Sequence, residues 1–116
     1  MQHQTIQDIL NLYNPADPLE KASTIPAPWY RDARIADLER ATVFSGTWQV
    51  AGRLDQVREK GQFFTADIAS EPIVVARGDD EKLRAFYNVC RHHAAAVVPE
   101  AQGCAKQFRC PYHGWT

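Results

Sequence analysis

The sequence predicts a mostly β domain, a small antiparallel sandwich or barrel, preceded by helical segments, so that the whole reads as α+β. Three observations carry this. Strand-rich stretches recur at intervals of about ten residues from residue 47 onward, with Gly and Asp between them. The residues before them show apolar positions at helical spacing, interrupted by prolines. The composition, 45% hydrophobic and 23% charged over 116 residues, suits one compact domain with its own core.

Residues 5–13, TIQDILNLY, put Ile6, Ile9, Leu10 and Tyr13 at helical spacing, with Thr5 as the N-cap of a short helix. Residues 14–28 hold Pro15, Pro18, Pro26 and Pro28, which deny the backbone donors and helical geometry. An extended arm is expected there, wrapping the domain or a neighbouring subunit. His3 reads as a solvated terminal residue. Residues 1–28 thus form an N-terminal helix and arm, and residues 29–116 the main domain.

In residues 28–44 the positions of Ile35, Leu38, Ala41 and Thr42 predict one amphipathic helix, with Asp32 capping its start. TWQVAG, residues 47–52, switches to a strand composition, and residues 62–67, 72–77 and 83–88 follow as further strands. ARGDDEKLRAF reads as a hairpin in which Gly78, Asp79 and Asp80 tolerate the positive φ of a tight reversal. Trp48 and Phe86 are expected in the core.

Charge and hydropathy exclude some classes of function. With 13 basic and 14 acidic residues and no clustered basic run, the chain offers no nucleic-acid face. It has no apolar stretch of the roughly 18 residues a membrane helix needs. Its opening, MQHQTIQDIL, lacks the blocks of a signal peptide, so a cytoplasmic location is expected.

The chemistry is concentrated in residues 90–115, CRHHAAAVVPEAQGCAKQFRCPYHGW. Cys90-x-His92 is separated by seventeen residues from Cys110-x-x-His113. A thiolate and an imidazole so close in sequence can project from one loop toward a common centre, and a second such loop completes an S₂N₂ cage. Zinc accepts Cys₂His₂, although its usual sequence form groups two Cys and then two His. A two-iron cluster with inequivalent irons, one keeping thiolates and the other taking imidazoles, suits one Cys and one His per loop. Cys104, the third cysteine, reads as an incidental thiol of a reducing compartment.

The phrases around these residues, NVCRHH and CPYHGW, resemble the cluster loops of the Rieske family. The order P-x-P-W-Y, LER, TWQVAG, QFFTADI, PIVVARG, LRAFYNVCRH and CPYHGW extends the likeness over residues 26–116. It is similar to the N-terminal region of ring-hydroxylating oxygenase large subunits, and WQVAG and QFFT bring it nearest to choline monooxygenase and its trimethylammonium-processing relatives. The resemblance implies a Rieske-type antiparallel β-sandwich. It also implies a [2Fe-2S] cluster with Cys90 and Cys110 on one iron and His92 and His113 on the other, the imidazoles at the exposed tip and the thiolates deeper. Replacing two anionic thiolates by neutral imidazoles raises the potential to roughly −150 to +300 mV, a range suited to an electron relay.

Around the cluster the same resemblance implies a hydroxyl from Tyr112 and backbone amides directed at the sulfurs, a close backbone approach at Gly114, and Trp115 as a cover. It further implies a reductase or ferredoxin as electron donor, a small-molecule substrate, a homo-oligomer (a trimer), and a mononuclear non-haem Fe(II) held by two His and a carboxylate in a catalytic domain. An aromatic-ring dioxygenase subunit, a free-standing Rieske ferredoxin and a zinc-stabilised binding module are the alternatives.

The chain departs from the family in three places. His93 and Ala94 stand where many members have Arg and Gly. His93 gives the first loop the Cys-x-x-His spacing of the second, but the family pattern favours His92. Cys104 has no companion for the loop-linking disulfide of respiratory Rieske proteins. Family members also continue beyond CPYHGW through further strands and the catalytic domain, so a fragment of a longer protein is expected.

Overall fold

The computed structural model describes residues 4–116, and His3 lies outside them. The chain forms two compact units, the first ending at Thr47 and the second running Trp48–Thr116.

The first unit is built from α1 (Ile6–Leu10), α2 (Ala27–Arg31) and α3 (Ala33–Glu39). Thr5 caps α1 as its spacing predicts. Asp8 N donates to Thr5 Oγ1 at 3.1 Å, and Thr5 N donates back to Asp8 Oδ2 at 2.8 Å. The regular helix ends at Leu10, and Leu12 and Tyr13 turn more tightly, donating to the carbonyls three residues back. Trp29 Nε1 donates to the Ile9 carbonyl at 2.9 Å, and its ring meets Tyr13 edge-on at 5.7 Å.

Two expectations for this unit need correction. Residues 14–21 are turns, not an extended arm. Pro15 takes the second position of a turn in which Asp17 N donates to the Asn14 carbonyl at 3.3 Å, a place that the fixed φ of proline suits. The single helix over residues 28–44 is also interrupted. Asp32 is extended (φ −89°, ψ 117°), and its carboxylate accepts from Arg34 N at 3.0 Å, so it caps a new helix, α3, instead of continuing α2. After Glu39 the chain widens into a π-helical turn, Arg40–Phe44. The hydroxyls of Thr42, Ser45 and Thr47 each donate to the carbonyl four residues back, which competes with a regular helical ladder.

The second unit is one antiparallel sheet of four strands in the order β3-β2-β1-β4, with β1 Gln62–Ile68, β2 Glu71–Arg77, β3 Leu83–Tyr87 and β4 Gln102–Cys104. Phe63 and Phe64 are adjacent in β1 and both buried, so both faces of the central strands are covered. On one face Phe64 and Val75 pack with Val57 of a 3₁₀ turn, Leu54–Val57. On the other, Phe63 and Val74 pack with Val98, and Val97, Ala105 and Phe108 lie against them. The segment joining the two Cys/His loops is thereby anchored on the sheet. Gly103 of β4 is required there, since a Cβ would meet the Phe63 ring at 2.8 Å.

Three of the expected strands are present, with bounds shifted by a residue or less at each end. Residues 47–52 form no strand, and Trp48 and Val50 are exposed. Phe86 is half exposed as well, because β3 is an edge strand and no further layer lies over it among the described residues. The residue type marks what favours burial, whereas burial itself requires a covering layer. The β2–β3 hairpin is present, but Glu81 (φ 63°) takes the positive φ in place of Gly78 or the aspartates. Ala69 and Ser70 (φ 55° and 70°) make the β1–β2 turn without any Gly or Asn to announce it.

Candidate metal centre

Strand β3 runs directly into the first loop through Asn88, a buried polar residue. Its Nδ2 donates to the Val98 carbonyl at 2.6 Å, and Val98 N donates to its Oδ1 at 2.8 Å. One side chain therefore imitates a strand partner and ties off the excursion between residues 88 and 98. Sequence reasoning missed Asn88. The available signal was an amide in the otherwise apolar run AFYNVC.

The two loops close in the same way. In the first, Cys90 N donates to the Ala95 carbonyl at 2.8 Å, and Ala94 N donates to the Cys90 carbonyl at 2.9 Å. In the second, Cys110 N donates to the Trp115 carbonyl at 2.7 Å, and Gly114 N donates to the Cys110 carbonyl at 2.9 Å. Each loop turns through a left-handed residue four positions past its cysteine, Ala94 at φ 57° and Gly114 at φ 75°.

These loops bring the predicted residues together. Cys90 and Cys110 are 6% and 3% exposed, whereas His92, His93 and His113 are exposed. The His92 and His113 rings lie 4.9 Å apart at 62°. Trp115 stacks on His92 at 4.5 Å with the planes only 4° apart, and Tyr112 lies 3.9 Å from the His113 ring. The backbone amide of Tyr112 foremost, then that of His113 and the Cys90 thiol, hydrogen-bond to the Cys110 sulfur and hold its thiol below the ordinary range against the opposing effect of burial. The contribution of Tyr112 at this sulfur is thus its amide. Cys104 is exposed, and all three cysteines are free.

Paired buried thiols under exposed imidazoles, with amides already directed at one sulfur, offer sulfur on one side and nitrogen on the other. That donor set fits a mixed-ligand iron–sulfur centre. The Rieske [2Fe-2S] domain family matches residues 47–116, and the chain belongs to that family. Such a domain implies a [2Fe-2S] cluster.

The relatives are oxygenases. Over 111 residues the chain is 40% identical to the chloroplastic choline monooxygenase of Arabidopsis thaliana, a match covering 96% of this chain and 26% of that protein. It is 38% identical over 93 residues to the glycine betaine monooxygenase oxygenase subunit of Chromohalobacter salexigens, covering 80% of this chain and 21% of that one. Among solved structures, a quaternary ammonium Rieske monooxygenase in complex with L-carnitine superposes with a TM-score of 0.76 at 33% identity, over 81% of this chain and 27% of that one. Naphthalene 1,2-dioxygenase from Rhodococcus sp. gives the same TM-score, 0.76, at 32% identity over 79% and 21%. The chain spans about a quarter of the length of the curated relatives it matches. No helix among the described residues is long and apolar enough to cross a membrane.

Proposed function

We propose that this chain is the electron-receiving Rieske portion of a non-haem iron oxygenase, with Cys90, His92, Cys110 and His113 holding the [2Fe-2S] cluster. The observation that carries this is the pair of identically closed loops with their thiols buried and their imidazoles at the surface. When bound, the cluster supplies one-electron transfer at a potential raised by its two neutral ligands. The protein's part is to bury the sulfurs, direct the amides of Tyr112 and His113 at Cys110, and keep His92 and His113 at the face an electron partner would reach. Trp115, stacked on His92, limits the rotation of that ring and shields one side of it.

The partners and substrate follow from the relatives. We read a reductase or ferredoxin as electron donor, a homo-oligomer (a trimer) as the assembly, and a mononuclear Fe(II) outside this chain as the electron acceptor. A quaternary ammonium compound is the proposed substrate, oxidised at a carbon beside the cation. The names of the choline, glycine betaine and carnitine-binding relatives support it. A cytoplasmic or other reducing compartment suits the three free thiols. The equal superposition on naphthalene 1,2-dioxygenase favours a second reading, an aromatic-ring dioxygenase.

Anaerobic reconstitution with iron and sulfide tests the centre. A red-brown protein with a rhombic, low-g paramagnetic signal on reduction is expected, and a colourless zinc protein would overturn it. Oxygen consumption by the whole oxygenase with a reductase tests the substrate. Choline, glycine betaine or carnitine should stimulate it, and coupled turnover with an aromatic acid alone would favour the second reading.

A further inference from the structure

The centre proposed above uses two imidazoles, but the loops present three. His92, His93 and His113 offer ring nitrogens that all lie within 4.8 Å of one another, and all three side chains are exposed. His93 has a definite place in this group. Because the loops close with the same bonds, His93 holds the station in the first loop, three residues past the cysteine, that His113 holds in the second. Its ring centroid lies 3.9 Å from that of His92 and 5.4 Å from that of His113. Metal–imidazole bonds are about 2.0–2.1 Å long, so an ion among them would draw these exposed side chains closer together.

We infer that in the cluster-free chain His92, His93 and His113 together bind one divalent transition-metal ion of the imidazole-preferring class, for which Ni²⁺ is the probe. This donor set is chemically distinct from that of the cluster, with three neutral nitrogens at the surface and no thiolate. Cys90 and Cys110, by contrast, are buried. A soft ion such as Cu(I) would be drawn to the sulfurs, so the choice between the two donor sets follows softness. Two of the three histidines are shared with the proposed cluster, so the ion and the cluster exclude one another. That exclusion rests on the cluster reading; the ion site itself does not.

The test is a Ni²⁺ titration of the cluster-free chain, followed by calorimetry and absorption. One ion is expected, without a thiolate-to-nickel charge-transfer band and with an affinity that Cys90→Ser/Cys110→Ser leaves unchanged. His93→Ala should weaken binding at least about tenfold, a loss that even an outer-shell partner of a metal typically causes. Unchanged affinity in His93→Ala, a charge-transfer band abolished by the double serine variant, or no binding at micromolar Ni²⁺ would each overturn the site. In iron and sulfide reconstitution, Ni²⁺ should delay the wild-type chain and not His93→Ala, and an equal delay in both would overturn the exclusion. Failure of the untreated wild-type chain to assemble a cluster would strike the cluster reading alone, and the nickel titration would still decide the ion site.

Discussion

The loop of residues 90–95 and the loop of residues 110–115 are closed by the same two backbone hydrogen bonds, yet they are stocked differently. The second loop is CPYHGW, with Gly114 at its left-handed turn and one histidine. The first is CRHHAA, with Ala94 at the corresponding turn and histidines at two consecutive stations. The backbone path therefore does not depend on glycine, although glycine adopts it with less strain. The difference also shows that loop geometry and ligand choice are separable. The shared closure would pair His113 with His93, whereas the family spacing pairs it with His92.

The largest expected effects test whether the two loops contribute equally. Cys90→Ser, Cys110→Ser, His92→Ala and His113→Ala should each abolish the normal cluster, read from visible absorption and paramagnetic resonance, while Cys104→Ser and His93→Ala keep it. Loss of the signal in His93→Ala would mean that loop closure, not family spacing, selects the ligand.

A smaller effect should distinguish the first loop from the second. Asn88→Ala removes both bonds to Val98 and leaves its buried NH and carbonyl unpaired, at a cost of about 1–3 kcal/mol for each group. Denaturant unfolding should show the loss, and cluster retention should fall with it. Wild-type stability in this variant would mean that the first loop does not need its clamp.

Smaller still is the contrast at the turns. A non-glycine residue in left-handed backbone costs about 1–2 kcal/mol, partly offset by the greater freedom that glycine loses on folding. Gly114→Ala should therefore destabilise and Ala94→Gly should stabilise, each by roughly 1 kcal/mol or less. Changes of the same sign in thermal unfolding would show that the loops' equivalence ends at their hydrogen bonds.

The smallest effect concerns the hairpin that feeds the first loop. The Arg84 side chain, bonded to Asp80 at 2.8 Å, holds that carboxyl down at about 2 from an ordinary 3.8. Because the folded value is the lower one, the contribution is fully present above about pH 3.8 and is lost as the pH falls toward 2. Asp80→Asn should flatten this part of the acid-unfolding curve and lower stability slightly at pH 7, where the contribution is fully present but small because the pair is exposed. An unchanged acid limb would exclude the pair as its source.

The sequence by itself determined the elements whose signals are local. Strand-rich runs with Gly and Asp between them marked β1, β2 and β3, Thr5 and Asp32 were legible as caps, and the spacing of Cys90, His92, Cys110 and His113 carried the candidate centre. Tertiary structure alone decided what depends on distant partners. β4 exists because Gln102–Cys104 lies beside β1, not because of any strand pattern of its own. Asn88 matters because Val98 folds back to meet it. Trp48 and Phe86 carry apolar surface that sequence reading assigns to a core, but exposure is set by the layers placed over them. The sequence put His93 beside His92, but only the meeting of two similarly closed loops brought both near His113, because convergence in space is a property of the backbone path and not of residue spacing.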